Sequence, residues 1–417
     1  MIRILRAGDP QASRLRAASV LPAAAVSAIV ADVRARGDAA VRELTERFDG
    51  ARIDALFLDD ARWSALAAQC PARVREALEV AHRRVRAFHA PQIPGSYELT
   101  LEHGAVLRCI SMPLQRAACY VPGGRAAYPT TVIMTASVAR LAGVPEVIVA
   151  TPPRRDGTIL PEVAAAARIA GATRILLAGG AQAVAALALG TQTVPRVDAI
   201  VGPGNAYVTE AKRQLSGEVR IDSLAGPTEV AIVADESADP VVVAVDLIAQ
   251  AEHDPLALAV LITPAEALAK AVVEAIGREQ IGTIAAQALK SRGAAIVTRD
   301  LDEALAFADQ LAPEHLELLL RDAGAAIAKV PRAAAVFVGR FSPVPVGDYL
   351  AGPNHTLPTS GTARFASPLG VMDFVRRQNV IEYSAGQLAN DRGDIVALAE
   401  AEGLHAHARA VMVARKK

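Results

Sequence analysis

The sequence carries no excess charge of either sign: 44 basic side chains balance 44 acidic ones over 417 residues. Without a basic patch or stripe, the chain lacks the electrostatic footprint of a nucleic-acid binder, although anionic small ligands stay open. Aromatic residues are scarce, at 4%, so the core must be built from Ala, Val, Leu and Ile. Only three cysteines occur, Cys70, Cys109 and Cys119, with no CxxC pair and no metal-type spacing. They read as free thiols in a reducing compartment. The N-terminal stretch MIRILRAGDPQASRL has neither an apolar h-region nor a cleavage pattern. Apolar runs such as Val163 to Ala172 are broken well short of the ~18 residues of a membrane span. No low-complexity segment or short-period repeat stands out. A soluble, cytoplasmic protein is expected.

Hydrophobic residues make up 52% of the chain and charged residues 21%, a globular composition. At roughly 150 residues per domain the length suggests two or three domains. From Pro22 to Phe48 apolar residues recur at three- and four-residue spacing, which predicts helix. Glu76 to His89 is a second helix, closed by Pro91, Pro94 and Gly95.

From about residue 105 short apolar runs alternate with helical stretches. Ala117 to Val121, Glu146 to Ala150, Arg174 to Leu177 and Ala199 to Val201 each read as a buried strand. A Gly- or Pro-bearing turn follows each, and then a helix. After a break near Ala225-Gly226-Pro227 the pattern resumes. Its strands are Val230 to Val233, Ala259 to Ile262, Ala295 to Val297 and Ala334 to Val338. Helices Val241 to Glu252, Glu266 to Ile276 and Leu301 to Leu311 lie between them. This is the βαβ signature of parallel sheets with helices on both faces. The fold class expected is α/β, with two incomplete Rossmann-like units, a helical N-terminal region and a small C-terminal segment. The long loop after Asp348, AGPNHTLPTSGTARF, holds too many turn residues for regular structure, and such loops are usually functional. The tail from about Ser367 reads as mostly helical.

Of eight histidines, His82, His89 and His103 stand away from other candidate ligands and read as surface or packing residues. The others fall in four polar settings. In Gln250-Ala-Glu-His253, two potential ligands three residues apart share a helical face, and Asp254-Pro255 stops the helix. In Glu314-His315 an imidazole able to move protons near neutral pH adjoins a carboxylate. Asp348 and His355 share the turn-rich loop. Glu402, His405 and His407 close the chain, the two histidines pointing apart on a helix. Alone, each setting is also what a polar helix end or a solvated loop looks like. Together they supply imidazole, carboxylate and amide oxygen to a divalent metal, though the spacing does not say which. GxGxxG is absent. Gly-rich turns at Pro122-Gly123-Gly124, Gly179-Gly180 and Gly202-Pro203-Gly204 follow strands and could cradle phosphate. A dinucleotide is one of several candidates.

The segments YVPGGRAAYPTTVIM, GGAQAVAALALG, VGPGNAYVTEAKRQ, DSLAGPTEVAIVAD, QAEHDP, APEHLEL, GDYLAGPNHTLPTSGTARF and EGLHAHARAV occur in this order across residues 120–411. In that combination the chain resembles the histidinol dehydrogenases. The resemblance implies zinc held by Gln250, His253, Asp348 and His407, with His407 preferred over His405 because the family pattern is Leu-x-Ala-His. It implies Glu314 and His315 as the catalytic pair. Thr228, His355 and Glu402 would bind substrate alongside Gln250, His253, His315, Asp348 and His407. Tyr120, Gln182 and Asn205 would contact NAD. Thr228 stands where several family members have Ser, and the hydroxyl is kept.

The implied layout is an N-terminal segment, 1–14, and a first Rossmann-like domain of 15–119 plus 230–370 with most of the metal and catalytic site. Residues 120–229 form a second, NAD-binding domain, and 371–417 a small helical domain used in dimerisation. The implied reaction is the zinc-dependent oxidation of L-histidinol to L-histidine in two hydride transfers through bound histidinaldehyde. The implied assembly is a homodimer whose C-terminal segment completes the partner's site. The alternative is a related zinc and NAD dehydrogenase acting on another amino, polyol or sulfonated alcohol.

Overall fold

The computed structural model describes residues 2–12, 15, 21–123 and 128–413. Gly124 of the first glycine turn, Arg125 to Ala127, and parts of the expected 1–14 and 15–119 segments lie outside them. In chain order the strands are β1 (Arg3–Arg6), β2 (Tyr97–Thr100), β3 (Val106–Pro113), β4 (Arg116–Tyr120), β5 (Glu146–Thr151), β6 (Arg174–Leu177) and β7 (Ala199–Val201). Then come β8 (Arg220–Ile221), β9 (Glu229–Ala234), β10 (Leu258–Thr263), β11 (Ala294–Val297), β12 (His315–Leu319), β13 (Ala335–Val338) and β14 (Val375–Glu382).

The chain divides into two units, residues 1–92 with 114–374, and residues 93–113 with 375–417. The first contains two parallel sheets, ordered β6-β5-β4-β7-β8 and β1-β11-β10-β9-β12-β13. In each, the first strand of the repeat (β4 or β9) lies inside the sheet, and later strands add on either side of it. That is the doubly wound arrangement expected from βαβ repetition. β4, β5, β9, β10 and β12 are buried almost throughout, and β5, β9 and β10 accordingly read as near-continuous Val, Ile, Leu and Ala runs. Small apolar side chains do most of the filling, as the shortage of aromatics requires.

The region read as helix from Pro22 to Phe48 is two helices, Ala23–Arg36 and Asp38–Asp49. Gly37 breaks it at φ 58°, ψ −130°, a conformation open to glycine. Helices Ala23–Arg36, Asp38–Asp49, Asp60–Ala68 and Ala72–His89 pack on the helices that flank the five-stranded sheet. β1 instead joins the edge of the six-stranded sheet, pairing in parallel with β11.

The second unit is a three-stranded antiparallel sheet, β14-β3-β2, with helices Ala385–Ala401 and His405–Met412. Arg108 on the central strand pairs with Glu98 and Glu382 on its two neighbours. The tail expected to be mostly helical thus opens with an eight-residue strand. Among the described residues no helix is long and apolar enough to cross a membrane.

Candidate active site

In the six-stranded sheet the polar groups gather at the amino-terminal edge. Thr228 immediately precedes β9 and Glu314 immediately precedes β12, whose first residue is His315. Ala312 closes the helix Leu301–Leu311 at φ 39°, ψ 61°, a conformation costly without glycine, and turns the chain into Pro313-Glu314-His315. Glu314 and His315 are both buried.

Each group is held from its far side. The His315 Nδ1–H donates to the Glu229 carbonyl at 3.0 Å, leaving Nε2 as the basic nitrogen, 3.9 Å from Asp348 Oδ1. Glu314 Oε2 accepts from the Thr228 hydroxyl at 2.5 Å and the Glu229 N–H at 2.9 Å. Burial raises the Glu314 pKa above the usual carboxylate range, against the lowering pull of His315 and these hydrogen bonds. Gln250 Nε2 donates to Thr228 Oγ1 at 2.5 Å, so its amide oxygen is the end left for a further ligand.

The helix carrying Gln250 is Pro240–Ala251, ending one residue earlier than expected, so His253 lies just beyond it rather than on its face. Gln250 is buried and His253 exposed. His253 Nδ1–H donates to the Ala249 carbonyl at 3.2 Å, which frees Nε2. His355 Nδ1–H likewise donates to the backbone carbonyl of Asp348, at 2.9 Å. Its Nε2 meets the Thr131 hydroxyl at 3.5 Å, linking the loop to the helix Pro129–Leu141 beside the other sheet. Burial lowers the His355 pKa, opposed by Asp348 and reinforced by the nearby imidazoles of His315 and His253. Gln250, His253, Thr228, Glu314, His315, Asp348 and His355 are therefore neighbours.

Glu402 and His407, with His405, belong to the second unit and are exposed there. Among the described residues no three His, Cys, Asp or Glu side chains stand close enough together to hold a metal. Of the expected zinc ligands, Gln250, His253 and Asp348 belong to the first unit and His407 to the second. His253 and Asp348 match zinc chemistry, and an imidazole whose Nδ1–H is tied to a carbonyl is oriented to bind through Nε2.

The other three expected contacts, Tyr120, Gln182 and Asn205, line one cavity of about 1300 Å³. It lies at the carboxyl ends of β4, β5, β6 and β7, where doubly wound sheets take nucleotides. Its far wall is formed by residues of the helices Ala23–Arg36 and Asp38–Asp49. The Tyr120 hydroxyl accepts the Gly180 N–H at 3.0 Å, and Asn205 Oδ1 caps the helix Ala206–Leu215 through the Tyr207 and Val208 N–H groups. Gly202 is held by a buried pair: Asp222 accepts its N–H and Lys212 donates to its carbonyl, the two side chains 2.7 Å apart. At φ 112°, a Cβ on Gly202 would stand 2.2 Å from the Tyr120 carbonyl oxygen, so this turn tolerates only glycine.

Sequence reasoning missed Glu229, whose main chain holds both catalytic candidates, and Thr131, which contacts His355. Both lie inside segments that carry the resemblance, where nothing in the spacing singles them out. His82 and His89 hydrogen-bond to Ser137 and to the Val85 carbonyl, as packing residues do.

A family model described as histidinol dehydrogenase matches residues 13–415. The histidinol dehydrogenase of Parasynechococcus marenigrum (strain WH8102) is 47% identical over 394 residues, covering 93% of this chain and 89% of the relative. That of Geobacillus kaustophilus (strain HTA426) is 46% identical over 398 residues, covering 94% of each. The crystal structure of histidinol dehydrogenase from Elizabethkingia anophelis superposes with a TM-score of 0.90 at 31% identity, covering 98% of this chain and 97% of that one.

Proposed function

Because the chain belongs to the histidinol dehydrogenase family and is therefore an oxidoreductase, we propose that it oxidises L-histidinol to L-histidine with zinc and NAD, in two hydride transfers. The observation that carries this reading is the juxtaposition of a free His315 Nε2, a buried Glu314 of raised pKa, and the Gln250, His253 and Asp348 donors. Gln250, His253 and Asp348, with His407 of a second copy, would hold zinc. Zinc held there would supply a Lewis-acidic centre able to orient the substrate's carbinol toward His315.

His315 Nε2 takes the alcohol proton as the carbinol hydride leaves to the first NAD. The Glu229 carbonyl holds the imidazole in the tautomer this requires. The aldehyde product stays in the site. Glu314 then removes a proton from water as it attacks the aldehyde carbon. A carboxylate of raised pKa suits this better than an ordinary one, since base strength rises with pKa. The second hydride leaves to a second NAD and the acid is released. His355 and Thr228 bind substrate. Glu402 of the second copy closes the site, which makes a homodimer the working unit. Tyr120, Gln182 and Asn205 contact NAD in the cavity at the other sheet. We place the reaction in the cytoplasm.

A competing reading is a related dehydrogenase acting on another alcohol. Purified protein is incubated with zinc, NAD and a panel holding L-histidinol, polyols and sulfonated alcohols, and NADH is followed by absorbance. NADH from L-histidinol alone supports the proposal. NADH from another alcohol, with none from histidinol, moves the chain to the competing reading.

A further inference from the structure

Two residues beyond His315 on β12, and so on the same face of the sheet, lies Glu317. Its partners in register are Ile232 on β9 and Phe337 on β13, both apolar. It is 1% exposed, in a layer that includes Ile232, Val243, Leu247 and Val344. Glu317 Oε1 accepts the N–H of Val344, first residue of the helix Val344–Tyr349, at 2.9 Å. Oε2 is fully buried and no N–H or O–H group reaches it. The group that does face Glu317 is a second carboxyl, Asp246, within hydrogen-bond reach from the helix Pro240–Ala251. No Lys, Arg or His pairs with either acid among the described residues. Asp246 is partly and Glu317 fully buried, and two carboxyls this close with no cation beside them favour holding a proton between them.

Resting on the active-site reading above, we propose that Asp246 and Glu317 share one proton and act as positioning residues for the metal and substrate site. The pair joins three elements that each carry a site residue. Helix Pro240–Ala251 bears Gln250, β12 bears His315, and helix Val344–Tyr349 bears Asp348. The proton resides on Glu317, whose Oε2–H donates to the Asp246 carboxylate while Oε1 keeps the Val344 N–H. Burial and the Asp246 charge push Glu317 up to about 8, and burial pushes Asp246 up to about 6. Both values lie above those of the unfolded chain. The folded state therefore binds more protons than the unfolded state between about pH 4 and 8, and the pair's contribution to stability falls as pH rises through that range.

Three variants test this. Glu317→Gln is neutral, and its amide can donate to Asp246 and accept from Val344. It should keep wild-type zinc affinity, KM and kcat, and flatten the fall of the thermal midpoint of metal-free protein from pH 5 to 8. Glu317→Ala should weaken zinc at least tenfold, read by competition with a chromogenic chelator, and raise the KM for histidinol. NAD affinity should change less than twofold, because the NAD cavity adjoins the other sheet. Asp246→Asn, which retains an acceptor, serves if Glu317→Ala does not fold, and should behave as Glu317→Gln does. Two results would overturn the proposal: a Glu317→Gln protein as impaired as Glu317→Ala, or a metal-free midpoint whose pH dependence is unchanged in both Glu317→Gln and Asp246→Asn. The metal-free measurement needs no turnover. A wild-type protein that fails to oxidise histidinol would thus overturn the active-site reading and leave this test standing.

Discussion

The two parallel sheets of the first unit share a winding rule and use opposite edges. The five-stranded sheet opens its carboxyl edge on a large cavity whose glycine turns bring backbone close to any occupant. The six-stranded sheet gathers Thr228, Glu314, His315 and Gln250 at its amino edge, where ligands are not usually found in such folds. A doubly wound sheet offers a ready nucleotide cradle at its carboxyl edge, because helix N-termini and turns converge there. At the amino edge helices end rather than begin, so side chains must supply all the chemistry. The difference explains why one region is glycine-rich and the other is rich in His, Asp, Glu and Gln.

If this division holds, mutations should affect either chemistry or dinucleotide binding, not both. The largest effect is expected at the amino edge. His315→Asn should lower turnover by ~10²–10⁴-fold, the usual worth of a general base, while zinc and NAD binding stay near wild type by calorimetry. Loss of NAD binding in that variant would break the comparison. Glu314→Gln should act more selectively, slowing oxidation of added histidinaldehyde far more than the first hydride transfer. In the wild type the aldehyde half-reaction should rise with pH along a limb above the usual carboxylate range. Its base must be deprotonated, and burial raises the Glu314 pKa. A limb at ordinary carboxylate pH would contradict that assignment.

At the carboxyl edge, Gly202→Ala should destabilise the fold by about 1–3 kcal/mol through backbone strain and contact with the Tyr120 carbonyl. It should weaken NAD without altering zinc affinity. The smallest effect is expected from Tyr120→Phe, which removes only the acceptor of the Gly180 N–H. At about 1 kcal/mol for a lost hydrogen bond, NAD should bind roughly fivefold more weakly. An equal loss of zinc would mean that the two edges are coupled.

Much of this was legible in the sequence. The parallel strands could be read because both their faces are buried, which leaves unbroken apolar runs such as EVAIVA and LAVLIT. The antiparallel sheet of the second unit could not. β2 is exposed at every residue, and β14, VRRQNVIE, reads as a polar tail until β3 pairs with it from more than 260 residues away. β1 is four residues long, mostly exposed, and defined by its partner. Helices 23–89 adjoin the start of the chain in sequence, yet their packing surface comes from residues 129–215. Periodicity carries no information about which sheet a helix will choose.

In the active-site region, spacing suggested separate polar pairs and the resemblance joined them. What stayed hidden is main-chain chemistry, such as the Glu229 peptide that holds Glu314 through its N–H and His315 through its carbonyl. Glu317 could have been seen. An acid two residues from His315 on a buried strand is itself a signal, since such a group must be paired or neutral.

On the mechanism proposed, Glu314 and His315 carry out both halves of one four-electron oxidation. Zinc-loaded protein with excess NAD and a known amount of L-histidinol should be run to completion and its NADH counted. Two NADH should form for each histidinol consumed, with L-histidine as product. One NADH per histidinol, with free aldehyde released, would contradict that mechanism.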